Sequence, residues 1–74
     1  MNFSEWLMKE KGFSHKASHD AESRLKRVLV LLGTDNVPKD AVTLLENTAE
    51  FKMLSVSVKS QLRRTAKLYL EFTA

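Results

Sequence analysis

Ser14-His-Lys-Ala-Ser-His-Asp-Ala-Glu-Ser-Arg-Leu-Lys-Arg-Val-Leu-Val-Leu-Leu32-Gly33 is the stretch that sets the fold. On a helix turning about 100° per residue, Ala17, Ala21, Leu25, Val28, Leu29 and Leu32 share an arc of about 120°. Lys16, His19, Ser23, Lys26 and Arg27 fall on another arc, from the far side of the helix round to one flank. One face suits a core and the other an anionic surface. Ser14 can cap the N-terminus, although Ala17 stands where a capping box would need Glu or Gln. Gly33, followed by Thr-Asp-Asn, ends the helix.

Working outward, residues 3–11 form a short first helix. Phe3, Trp6, Leu7 and Met8 turn inward, and Gly12 lies just past its end. Downstream, Val37-Pro38 opens a third, shorter helix with proline in its first turn. Ala41, Leu44 and Leu45 are its apolar stripe, and Asn47-Thr48 closes it. Residues 47–54 form a connector in which Phe51, Met53 and Leu54 cap the end of the bundle. A final helix starts at Ser55 or Ser57 and runs to about Phe72. Its inner stripe is Val58, Leu62, Ala66 and Tyr69, with Lys59, Arg63, Arg64 and Lys67 spread over the opposite side. The expectation is one all-α domain over residues 1–74, a small four-helix bundle with short connections.

Composition agrees with this. The 74 residues are 43% apolar and 28% charged, with two glycines, one proline and no cysteine, which favours helices over a turn-rich β fold. The absence of cysteine removes disulfides and thiolate metal sites and suits a reducing, cytoplasmic setting. No apolar run reaches the 18 or so residues of a membrane span, and no export signal is visible.

Charge is unevenly distributed. Lys and Arg against Asp and Glu count two against two in residues 1–13 and four against two in 14–33. The counts are two against four in 34–54 and four against one in 55–74. The surplus therefore sits on the long helix and the last helix, while the third segment is acidic.

Enzymatic chemistry has little to stand on. His15 and His19 are spaced i,i+4, a metal-compatible step, but no third ligand accompanies them. Asp20 and Glu22 do not share a helix face. No Gly-rich loop can cradle a phosphate, and four short helices leave little room for a cleft. The expectation is no enzyme, no metal, no cofactor and no small-molecule substrate. Trp6 and Tyr69 could stack on a base, but their spacing with Leu7 and Leu62 favours core packing. The basic faces remain. Lys59, Arg63 and Lys67 follow i,i+4 steps with Arg64 beside them, and two such helices can contact several phosphates of a duplex that carries one charge per about 1.7 Å.

The helix order and several motifs resemble the core-binding, SAM-like N-terminal domain of the tyrosine recombinase (phage integrase) family. Phe3-x-x-Trp6-Leu7, Gly12-Phe13-Ser14 and Ser14-His-Lys-Ala17 are similar to that family's opening motifs, and Leu25 and Val28 fall where it places apolar residues. Ser60-Gln-Leu62-Arg63-Arg64-Thr-Ala-Lys-Leu-Tyr-Leu70 is similar to its Ser-x-Leu-Arg-x-aromatic-aromatic helix. Ala17 replaces the usual Thr, Ala21 an aromatic residue, and Thr65-Ala66 a bulky pair. The resemblance implies an orthogonal SAM-like bundle whose second and fourth helices face the major groove of DNA as half of a clamp. It also implies a role in DNA recombination and integration, with a recombinase catalytic domain in the same or another chain as partner. That family's Arg, Lys, His and Tyr catalytic set lies in a C-terminal domain outside these residues, and Tyr69 is not its nucleophile.

The resulting expectation is a module that binds double-stranded DNA through Lys16, His19, Ser23, Lys26, Arg27, Lys59, Arg63, Arg64 and Lys67. Arg27 and Arg63 are assigned to base edges and most of the rest to phosphates. The alternative is a SAM-like protein-interaction or self-association module, with acidic Asp35, Asp40, Glu46 and Glu50 meeting a neighbour's basic helix.

Overall fold

The computed structural model describes residues 1–74 and is entirely helical: α1 (Phe3–Lys11), α2 (His15–Leu32), α3 (Ala41–Glu46), α4 (Ala49–Lys52) and α5 (Val56–Thr73). The expected all-α class holds, with five helices in place of four because the 47–54 connector contains α4.

Local chemistry explains the boundaries. Asn2 caps α1 through a reciprocal box: its side chain accepts from the Glu5 N–H at 2.9 Å, and the Glu5 carboxylate accepts from the Asn2 N–H at 3.1 Å. Ser14 and Ser55 each accept one N–H of their helix, from Ala17 at 3.1 Å and Val58 at 3.2 Å. Gly12 and Gly33 end α1 and α2 in the left-handed region, at φ 67° and 68°. Proline does not open α3. The Pro38 carbonyl accepts from the Ala41 N–H at 3.0 Å, closing a turn, and the helix begins after it. Thr48 makes α4 possible. Its hydroxyl donates to the Leu45 carbonyl at 2.9 Å and accepts from the Phe51 N–H at 3.2 Å, so one side chain ends α3 and starts α4.

The core forms two clusters along α2 and α5. Val28, Ala41, Leu45, Phe51, Leu62 and Ala66 make one. Phe3, Leu7 and Ala21 make the other, with Trp6, Phe13, Leu25, Leu68, Tyr69 and Phe72 packed around them. The C-terminal half of α2 therefore meets the N-terminal half of α5, and the reverse, so the two long helices run in opposite senses. Leu7, Leu45 and Leu62 are fully buried, each contributing about 1.5–3 kcal/mol of transfer free energy.

Several inward assignments shift. Ser18, not Ala17, takes the deeply buried place on the first turns of α2, and Thr65 joins Leu62 and Ala66 inside α5. Both hydroxyls donate within their own helix, to the carbonyls of His15 and Gln61 at 2.8 and 2.9 Å, so burial strands no donor. Leu44 is 42% exposed because Ala41 and Leu45 occupy the inner face of the six-residue α3. Met53 is 86% exposed, leaving Phe51 and the half-buried Leu54 to close that end.

Candidate nucleic-acid interface

On α2, Lys16, His19, Ser23, Lys26 and Arg27 are all exposed, on the arc away from the core. Lys16 lies 3.7 Å from Asp20, an i,i+4 pair open to solvent and correspondingly weak. The rings of His15 and His19 are parallel at 6.5 Å. On α5, Arg64 and Lys67 are exposed, while Lys59 and Arg63 are half-buried.

Consecutive arginines on α5 lean to opposite flanks. The Arg63 guanidinium lies over the Phe51 ring at 5.6 Å, toward α4, whereas the Arg64 guanidinium lies over the Phe13 ring at 5.5 Å, toward the α1–α2 turn. A helix rotates about 100° between neighbours, which separates the two directions, and an aromatic ring on each flank holds each side chain there.

The contact between α2 and α5 leaves one open notch of about 50 Å³, lined by Phe13, Ala21, Arg24, Gln61, Arg64, Thr65 and Leu68. It brings Arg64 together with Arg24, a residue the sequence reading assigned to neither face. The usable signal was a cation beside the apolar arc, three residues after the buried Ala21 and four before the buried Val28. Going round α2 away from this seam, Arg27 lies about 60° beyond Arg24 and Lys16 about 80°, whereas His19 and Lys26 lie about 140–160° beyond it. Of these cations, the notch thus brings together Arg24 and Arg64 alone; Arg27 and Lys16 follow on the outward side of α2, and on α5 Lys67 faces outward between Arg64 and Arg63. His19 and Lys26 face away from α5, with Ser23 between, and Lys59 and Arg63 occupy the flank nearer α4.

Carboxylates leave this surface positive. Among the cations of α2 and α5 only Lys16 is ion-paired, and the one acid on α5, Glu71, pairs instead with Lys11 of α1. Asp35, Asp40, Glu46 and Glu50 are all exposed around α3 and α4. Tyr69 and Trp6 belong to the aromatic cluster: Trp6 packs at 5.5 Å from Phe72, and Tyr69 meets Phe3 at 5.2 Å. No three His, Asp or Glu side chains converge as a metal set, and no helix is long and apolar enough to cross a membrane. No family model, curated protein or solved structure matches this chain.

Proposed function

We propose that the chain is a DNA-binding module, a SAM-like helical bundle resembling the core-binding domain of a tyrosine recombinase. In this reading α3 and α4, joined through Thr48, take the place of one helix of the four-helix plan. The observation that supports it is the segregation of charge: cations along α2 and α5 of which only Lys16 has a carboxylate partner, with four exposed acids gathered around α3 and α4. The duplex lies along the α2–α5 seam, where Lys16, Arg24, Arg64 and Lys67 neutralise phosphates and Arg27 has a free guanidinium for a base edge. His19, Ser23 and Lys26 engage only DNA that wraps further round α2. The test is a gel-shift or NMR titration of Arg27→Gln with Lys67→Gln, two exposed positions whose loss leaves the core intact. Weaker duplex binding with unchanged helical circular dichroism supports the reading, and unchanged affinity removes it.

The second reading is self-association or protein binding. It draws on Val30, Met53 and Val56, which are 78%, 86% and 77% exposed, and on the acidic α3–α4 end. Sedimentation discriminates the two. Oligomers forming without DNA favour association, and a monomer that shifts only with duplex favours the first reading.

A further inference from the structure

The notch between α2 and α5 combines features that solvated surface arginines lack. Arg24 is half-buried and the Arg64 guanidinium lies over the Phe13 ring, yet neither makes an ion pair or a side-chain hydrogen bond. Asp20, one turn before Arg24, is the acid placed to quench it, and it turns to Lys16 instead. Glu71, the one acid of α5, lies two turns beyond Arg64, out of its reach, and pairs with Lys11. The contact with Phe13 uses none of the Arg64 N–H groups in a hydrogen bond, so they remain available to bond an oxyanion in parallel pairs. It also fixes the side chain before any ligand arrives, lowering the ordering cost of binding. Ala21, Leu68 and the Phe13 ring form an apolar floor, where a charge-assisted hydrogen bond is stronger than in bulk water, and the Gln61 amide adds a further donor at the rim. About 50 Å³ admits a few water-sized groups, the scale of a single phosphate.

We propose that this notch is a phosphate-binding site in which Arg24 and Arg64 grip one phosphate from two sides, against the Phe13 ring. The inference deepens the duplex reading, on which it rests, by naming where one backbone phosphate is seated. The same chemistry would also hold a free phosphomonoester.

The experiment follows the arginine Nε–Hε and backbone amide resonances of the full chain. The probes are inorganic phosphate, thymidine 5′-monophosphate and a short DNA duplex, each added to wild type and to Arg24→Gln with Arg64→Gln. Expected are saturable shifts at Arg24, Arg64 and Phe13 with phosphate, and binding weaker by about tenfold or more in the double variant. Should that variant unfold, Arg24→Lys with Arg64→Lys keeps both charges, loses the planar fork, and is still expected to weaken phosphate binding. Phosphate that leaves these resonances unmoved in wild type, or shifts the backbone amides of the notch equally in the variant, overturns the site. Duplex bound with unchanged affinity by the folded double variant overturns it too, while the duplex reading survives through Arg27 and Lys67. If both phosphate and the mononucleotide occupy the notch but wild type ignores duplex, the site stands as one for a free phosphomonoester and the duplex reading falls.

Discussion

Phe3 meets Tyr69 edge to face, with ring centres 5.2 Å apart and planes at 72°, so the first helix is locked to the last by a pair of aromatic rings. Phe72 lies 5.6 Å from the same Phe3 ring and 5.5 Å from Trp6. Phe3→Ala removes the centre of this group and is expected to cost about 3–5 kcal/mol. A chain of this length has roughly 4–11 kcal/mol in total, so the variant loses from about a quarter to all of its stability. Urea titration followed by Trp6 fluorescence measures it, and a loss under about 1 kcal/mol would mean that the cluster collapses into the gap.

Gly33→Ala isolates a backbone effect. A Cβ there would meet nothing within 4 Å, so the cost is the left-handed φ of 68° alone. About 1 kcal/mol is expected, or roughly 4–8 °C in Tm, with Gly33→Asn losing less because Asn tolerates that conformation. Thermal melts of the two variants check the order.

Ser18→Ala is expected to be close to neutral, within about 0.5 kcal/mol, despite nearly complete burial. Its hydroxyl donates only to the His15 carbonyl in its own helix, so truncation leaves no buried donor orphaned, and alanine favours the helix more. Ser18→Leu, by contrast, overpacks the start of α2 and is expected to cost about 1–3 kcal/mol. Chemical denaturation of the pair distinguishes a packing role from a hydrogen-bonding one.

Salt dependence reads the number of phosphates engaged. If Lys16, Arg24, Arg64 and Lys67 each neutralise one phosphate while Arg27 reads a base edge, the slope of log K against log salt is about −3 to −4, and Arg27→Gln with Lys67→Gln reduces its magnitude by about 1. Titrations at several salt concentrations measure both slopes, and an unchanged slope in the variant would place the duplex elsewhere.

The first two helices and the last were legible because their signals are local. Gly12, Ser14, Gly33 and Ser55 end or begin helices through contacts within a few residues of themselves. The start of α3 was less so, since Val37-Pro38 satisfies both a helix opening and a turn, and the turn closing on Ala41 won. Nothing in the apolar period announces α4, a single turn that exists through the two hydrogen bonds of Thr48. The candidate surface was half visible. Which helices carry the surplus charge follows from counting residues, but the divergence of Arg63 from Arg64 depends on Phe51 and Phe13. Those rings come from other segments, and only tertiary packing brings them alongside. Arg24 was missed for the same reason, because a residue at the margin of a helix face acquires its role from the neighbour that arrives there.

The contact of Phe3 with the rings of Tyr69 and Phe72 joins positions 66 and 69 residues apart in sequence. Closing so wide a loop costs more chain entropy than any turn of helix, so this seam is expected to form late in folding, once the local helical contacts are in place.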